Sequence, residues 1–422
     1  MKDLQTYRLN NGINVHYIKS EKFKNANFTV NITVPLKRPD VTFNALLPAV
    51  LRRGCKKFPE TKELNIYLDE LYGSNISYGV KKRGNYQVIV INFNTIADKY
   101  APDLKPFEKI LDLSREMLLN PLVTNGAFSD NYVNREKENL KQYIESIIND
   151  KREYAKLKLI QEMYNSETFG IFSNGYVEDL EKVTSKTLFD YYKKLIHDAH
   201  WEIFITGPVD INYCISFLEE HYKFEKNTFL YSNTDFGKYR KEINYISESS
   251  DVTQGKLSIG LRTEITNYSP LYYAMVIMNN LYGGSVHSKL FLNVREKLSL
   301  AYYAGSSYDA YKGLILVNSG IEFDNYEIAL KEIFKQLDDV KNGLFTDKDI
   351  EYSKLSVINA YNSIKDSAIS MENFYSSQSF IKKPLTIDEF VERINDVQKD
   401  DIIKAALTVS PDTVFFLKGR ED

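Results

Sequence analysis

The sequence has little of what covalent or metal-held frameworks need. It contains two cysteines, Cys55 and Cys214, and five histidines in 422 residues. Two cysteines cannot make a disulfide framework or a cysteine-based zinc site. Charge of one sign is lacking too: 54 Lys+Arg stand against 57 Asp+Glu, a net of −3. That argues against nucleic acid as the main partner, because a dedicated binder carries a strong basic excess. No stretch approaches the roughly 20 uninterrupted apolar residues of a membrane span, so no membrane partner is expected. The opening MKDLQTYRLNNG has no signal-peptide apolar run, and a cytoplasmic chain is expected.

What is present is enough for large cores. The chain is 43% hydrophobic and 26% charged, a globular balance. Its length exceeds what one core usually holds, so two domains of roughly 200 residues are expected.

Along the chain, Ile13, Val15 and Tyr17 alternate with polar residues after the Asn11-Gly12 turn, which predicts a hairpin. Phe28 to Val34, FTVNITV, predicts a strand, and NYQVIVINFN from 85 to 94 a buried one. The run NALLPAVL from Asn44 to Leu51 ends in Arg52, Arg53 and Gly54, a helix C-terminus signature. Residues 61–72 have helical spacing up to Gly73. The charged segment from Ser129 to Asn165 lacks Gly and Pro and predicts one long helix.

An internal repeat organises these pieces. Asn125-Gly-Ala-Phe-Ser-Asp130 recurs as Asn342-Gly-Leu-Phe-Thr-Asp347, each before a long charged helix, with Ser129 and Thr346 as N-cap candidates. WEIFITGPVD from Trp201 is matched by DTVFFLKG from Asp412. LEKVTSKTL from Leu180 is matched by VERINDVQKDDI from Val391. Three pairs in one order imply two homologous domains, 1–228 and 229–422. Strands and long helices do not alternate regularly. The fold class expected is α+β, each domain a mainly antiparallel sheet with helices packed on one face.

The segment GGSVHSKLFLNVREKLSLAYY, Gly283 to Tyr303, resembles the second-domain signature of the pitrilysin/insulinase (inverzincin) zinc metallopeptidases. The matching residues are Ser288, Leu290, Phe291, Arg295, Glu296, Lys297, Ala301 and Tyr302. The duplicated halves extend the resemblance over nearly the whole chain, and its nearest branch is that of YmfF-like bacterial proteins. The family's catalytic motif is H-x-x-E-H on one helix, where two imidazoles at i and i+4 hold zinc and the glutamate polarises a water. Anchored on Gly54, the resemblance puts Ala45 and Ala49 at the histidine positions and Pro48 at the glutamate position. The distal ligand falls near Tyr143, with Glu138 and Glu145 close by in sequence. No H-x-x-E-H or H-E-x-x-H occurs anywhere. The one close pair, His197 and His200, reads as two partly exposed histidines at a helix end.

The resemblance implies an inactive homologue with no cofactor of its own. Arg295 and Tyr302 would bind substrate, donating to a polarised carbonyl. On spacing alone, Arg295 reads as a helix-end cation and Tyr302 as core. Gly283 and Gly284 read as a tight turn needing φ > 0 or, by resemblance, as a short substrate-handling loop. In two-chain members one chain carries zinc and the other the arginine and tyrosine. The expectation is therefore a non-catalytic subunit, half of a clamshell chamber, that positions peptide against the zinc of a homologous H-x-x-E-H partner. The alternative is a non-proteolytic scaffold or a maturation factor linked to elongation factor P modification.

Overall fold

The computed structural model describes residues 4–223, 240–379 and 384–420. The expected boundary at 228/229 lies outside the described residues. The described chain forms two α+β units. The first comprises the described residues of Met1–Glu145, Ile171–Ser232 and Ser367–Ser377; the second, those of Ser146–Gly170, Asn233–Asp366 and Gln378–Asp422.

The first half of the chain runs β1 (Leu4–Arg8), β2 (Asn14–Ile18), β3 (Asn25–Pro35), α1 (Val41–Arg53), α2 (Thr61–Glu70), β4 (Asn75–Arg83), β5 (Tyr86–Ile96) and α3 (Pro106–Leu119). A two-residue-strand hairpin, β6 (Val123–Thr124) and β7 (Ala127–Phe128), leads into α4 (Asp130–Ser146). Then come α5 (Lys151–Met163), α6 (Ser185–Asp198), β8 (His200–Thr206) and α7 (Ile211–His221). The second half runs β9 (Asn244–Ser250), β10 (Gly255–Arg262), α8 (Tyr272–Asn279), two π-helical segments (Asn280–Gly284 and Leu290–Lys297), β11 (Ala301–Asp309), β12 (Leu314–Ile321) and α9 (Tyr326–Lys341). It closes with α10 (Asp347–Ile364), α11 (Ala368–Ser377), α12 (Ile387–Asp396), α13 (Lys399–Leu407) and β13 (Ser410–Gly419).

The repeat is visible in strand order. The first sheet reads β1-β2-β8-β3-β5-β4 and the second, from its other end, β9-β13-β10-β12-β11. Removing β1 makes the two orders equivalent. The homologous pairs β2/β8 and β9/β13 are the parallel ones, and the other strand pairs within the two sheets are antiparallel. Phe128 and Phe345 are both buried immediately before the long helices α4 and α10. Thr346 caps α10 in a capping box with Asp349, as its sequence position predicts.

Alternation explains the first sheet. Phe28, Val30, Ile32 and Val34 of β3 enter the apolar core with Ile89, Ile91 and Phe93 of β5 and Trp201, Ile203 and Ile205 of β8. The other face of β3 carries Asn27, Thr29, Asn31 and Thr33, and these are buried as well.

The single helix expected over Ser129–Asn165 is two helices. A 3₁₀ turn at Ile147–Asn149 interrupts it, and the Asp150 carboxylate then accepts hydrogen bonds from the Arg152 and Glu153 amides, starting α5 afresh. An N-capping aspartate competes with helix continuation. The break separates the units, because α4 belongs to the first and α5 to the second. There Ala155 and Leu159 of α5 pack with Leu316, Phe415 and Leu417 of β12 and β13. Gly260 of β10 leaves room for Met163, whose sulfur would lie 2.4 Å from an added Cβ. The counterpart, α11, follows α10 in sequence and belongs to the first unit. Arg83 of β4 donates to the Ser376 carbonyl and, at 2.7 Å, to its hydroxyl. Each unit thus takes the helix that follows the other's long helix.

Candidate functional site

The helix α1 carries Ala45, Pro48 and Ala49 among the buried Leu46, Leu47 and Val50. Pro48 sits inside the helix and withholds a donor from the backbone of Asn44. The Asn44 side chain is held separately, donating to Gln87 Oε1 at 2.7 Å and accepting from the Tyr191 hydroxyl at 2.7 Å. One turn beyond Ala49, Arg53 pairs through its guanidinium with the buried Glu136 carboxylate on α4. Asn139 donates to the second Glu136 oxygen at 3.1 Å. Arg52 donates to Asn65 Oδ1 at 3.0 Å. Tyr143, farther along α4, is half exposed.

Zinc does not fit this donor set. Two methyl groups and a pyrrolidine ring offer no lone pair, a phenol is a poor substitute for a carboxylate, and the buried carboxylate of α4 is already neutralised by a guanidinium. Among the described residues, no group of three or more His, Cys, Asp or Glu could hold a metal ion.

His200 has a setting that its sequence position does not reveal. The parallel pairing of β2 with β8 brings His16 beside Glu202. Glu202 Oε1 lies 3.5 Å from His16 Nε2 and 3.7 Å from His200 Nε2. Burial pushes the Glu202 carboxyl up, but the two imidazoles outweigh it and hold it down at about 2.

In the second unit, Arg295 and Tyr302 line one open depression with Glu296, Ser299, Leu300, Ala301 and Glu322. Arg295 closes a π-helical segment, and Tyr302 is the second residue of β11. Between them Ser299 has φ +49°, in the left-handed region that non-glycine residues seldom occupy. That turn reverses the chain and sets both side chains on one surface. The Arg295 guanidinium lies 4.6 Å from the centre of the Phe291 ring and its Nε 3.5 Å from Glu296. The Tyr302 hydroxyl donates to Glu322 Oε1 at 2.8 Å. That carboxylate raises the Tyr302 phenol above its ordinary value, keeping it a donor at neutral pH. Tyr302 is 65% exposed, so the core reading of this residue is overturned.

Gly283 and Gly284 also correct an expectation. Neither has a positive φ; they end the π-helical segment Asn280–Gly284. Gly283 is needed for close approach, since a Cβ there would lie 2.6 Å from Ser306 Oγ and 2.7 Å from Ser306 N. It is buried, whereas Gly284 is exposed. Glu322, Ser299 and the Arg53–Glu136 pair carry no motif, and the sequence alone did not single them out.

The family model described as peptidase M16 inactive domain matches residues 182–357. The chain is 38% identical over 411 residues to a protein of Bacillus subtilis (strain 168) named probable inactive metalloprotease YmfF, covering 97% of this chain and 96% of that one. It is similar in structure to a conserved protein from Enterococcus faecalis V583, with TM-score 0.91, 30% identity, and coverage of 100% of this chain and 99% of the other. A peptidase M16 inactive domain from Pseudomonas fluorescens shares the fold at TM-score 0.81 and 16% identity, over 99% of each chain.

Proposed function

The chain belongs to the peptidase M16 family as an inactive metalloprotease homologue, and from that premise we propose that it is the non-catalytic subunit of a heterodimeric zinc peptidase. It binds an extended peptide and presents it to the zinc of a homologous partner that carries an intact H-x-x-E-H. The observation that carries this reading is the asymmetry of the two units. The motif helix has lost every group able to hold zinc, while Arg295 and Tyr302 stay exposed beside one another.

The peptide adds as a strand along the outer edge of β4, which lies at the end of its sheet and pairs with β5 on its other side. Main-chain hydrogen bonds supply most of the affinity in this mode, and side-chain pockets supply the selection. Arg295 and Tyr302 would hold the substrate carbonyl by donating to its oxygen, and a zinc in the partner would supply the hydrolytic chemistry. A guanidinium and a phenol gain strength there as negative charge builds on the oxygen. Gly284 lies exposed at the end of its π-helical segment, on the route by which substrate enters. No helix among the described residues is long and apolar enough to cross a membrane.

Co-purification from the native cell, with zinc quantified in the complex, tests this reading. A homologous partner carrying one zinc per heterodimer is the expected result. Recovery of the chain with elongation factor P modification components, and without a zinc subunit, would establish the maturation-factor alternative instead.

A further inference from the structure

The second sheet ends on an open strand where the first does not. In the first, β2 is flanked by β1, and on its core face Val15 and Tyr17 share one cluster with Cys214, Leu218 and Tyr222 of α7. In the second, β9 pairs with β13 alone, and among the described residues no helix follows β13 as α7 follows β8. Beside β9 lies an open pocket of about 540 Å³, walled by Tyr245, Phe323, Tyr326 and Phe416. Tyr326, the first residue of α9, stacks on Phe416 with ring centres 4.5 Å apart. Tyr245 is 56% exposed and Phe323 37%, a large aromatic surface to leave in water.

β9 also lacks what usually guards an edge. Natural edge strands are blunted by lysine, proline or a bulge. The sequence of β9, NYISESS, has neither residue, and its register with β13 runs unbroken from Asn244 to Ser250. Its one charged residue, Glu248, accepts from the Tyr154 hydroxyl of α5 at 2.7 Å, on the face away from the pocket. A strand with one neighbour leaves alternate backbone donors and acceptors pointing outward unpaired. Toward the pocket, β9 presents Tyr245, Ser247 and Ser249, which share a face by alternation. Ser247 pairs with Phe416 and Ser249 with Lys418, so Lys418 stands on this face too. Lys418 and Arg420 together outweigh Asp324 and leave the rim net positive.

We propose that β9 is a docking edge for an extended segment of another protein chain, one carrying a large apolar residue with an acidic residue two positions before it. The segment adds antiparallel, as β1 adds to β2, and its backbone takes up the outward groups of β9. Its apolar side chain stands opposite Ser247. Directly opposed residues lie about 4.5–5.5 Å apart and diagonal ones about 7–8 Å. A phenylalanine there passes over the small serine toward Phe416 and meets the Tyr245 ring on the diagonal, with no strand but β9 between it and β13. In an antiparallel addition the residue two positions earlier falls opposite Ser249, where a glutamate faces Lys418 across one small side chain. β9 is at the opposite edge of its sheet from β11 and Tyr302, so this docking does not depend on the substrate reading.

The test uses the full chain and a threonine-rich peptide labelled with fluorescein, with phenylalanine at its centre and glutamate two residues earlier. Affinities are read by fluorescence anisotropy. Replacing the phenylalanine by alanine should weaken binding roughly 10- to 100-fold, the value of burying one large apolar side chain. Replacing the glutamate by lysine should weaken it about 2- to 5-fold at low salt and less at high salt. Ser247→Tyr, which puts a ring of the protein's own into the pocket, should bring the phenylalanine peptide down to the alanine level. Tyr245→Lys, a guard placed on an exposed residue of the edge, should weaken both peptides. Equal affinity for the phenylalanine and alanine peptides overturns the proposal. Binding that both protein variants leave untouched places the peptide elsewhere and overturns it too. A dimer in light scattering that Tyr245→Lys dissolves would give β9 to a second copy of this chain, against the proposal. Failure of every peptide to bind also overturns it.

Discussion

Replacing Glu372 by glutamine should stabilise the chain above pH 7 and leave it nearly unchanged below about pH 4.5. The Glu372 carboxyl is pushed up to about 7 from its ordinary 4.5 by burial, against the opposing pull of hydrogen bonds from Thr29, Thr206 and Asn27 and of the Lys81 charge. The folded chain therefore holds this proton more tightly than the unfolded one. Stability is fully present below about pH 4.5, falls as pH climbs toward 7, and then levels off. Each pH unit in that interval costs about 1.4 kcal/mol, so the ionised carboxylate costs about 3 kcal/mol at pH 8. Glutamine keeps the acceptor for Thr29 and never ionises. For a unit of about 200 residues, 1 kcal/mol moves Tm by about 2–4 °C, so the variant should melt roughly 6–12 °C higher at pH 8. At pH 4.5 the two chains should melt together. Of the charged groups on the facing strands, Arg83 on β4 and Glu202 with His16 and His200 on β8 and β2 are present in both proteins, and Lys81 on β4 is the one whose charge acts on Glu372. Calorimetry at the two pH values decides the matter. A shift of the same size at both would refute the argument, because a pH-independent gain cannot come from a buried proton.

Arg53→Met should cost about 3 kcal/mol in urea unfolding by leaving Glu136 buried without its cation, and adding Glu136→Leu should recover most of it; equal loss in the double variant would sink that account. Gly283→Ala should lose about 1–3 kcal/mol to overpacking against Ser306, whereas Gly284→Ala, whose nearest neighbour would be at 3.2 Å, should be close to neutral. In complex with a zinc-bearing partner, Arg295→Ala should lower kcat/KM by about 10²–10³ with zinc content and assembly intact, and Arg295→Lys should rescue it incompletely; loss of assembly instead would make the residue structural. Pro48→Glu alone should restore neither zinc, read by elemental analysis, nor hydrolysis, because Ala45 and Ala49 still bind no metal.

Much of this was legible before any coordinates. The repeated Asn-Gly-x-Phe segments and the glycine-ended strands located homologous elements, and the two equivalent strand orders bear them out. Composition and alternation were enough for the α+β class because β3 and β5 face a core on a strict period of two. The break at Ile147–Asn149 was hidden because the segment lacks Gly and Pro; the one signal was Asp150, an N-cap followed three residues later by Glu153. The pairing of His16 with Glu202 and His200 could not be read, since it depends on which strands run side by side. Nor could the depression around Tyr302, because Glu322 reaches it from another strand and carries no motif. Pro48 could be placed at the motif's glutamate position from the resemblance, but its place inside the buried stretch of α1 is seen only in the structure.

The exchanged helices bear on how this protein is made. A ribosome delivers the strands of the first sheet early, yet α11 and its Glu372 belong to nearly the last part of the message. Until Ser377 has emerged, the polar face of that sheet has no cover from its own unit, and Arg83 waits for Ser376. The second sheet is in the opposite position, because α5 is synthesised before any strand it packs against. Its Leu159 and Met163 must stay in solution or in a chaperone's keeping while β10 and β13 are still being translated. Neither half of the gene encodes a self-sufficient body, so vectorial synthesis cannot complete one domain and then begin the next. Each unit is completed late, the first only once Ser377 is made and the second only with the final strand.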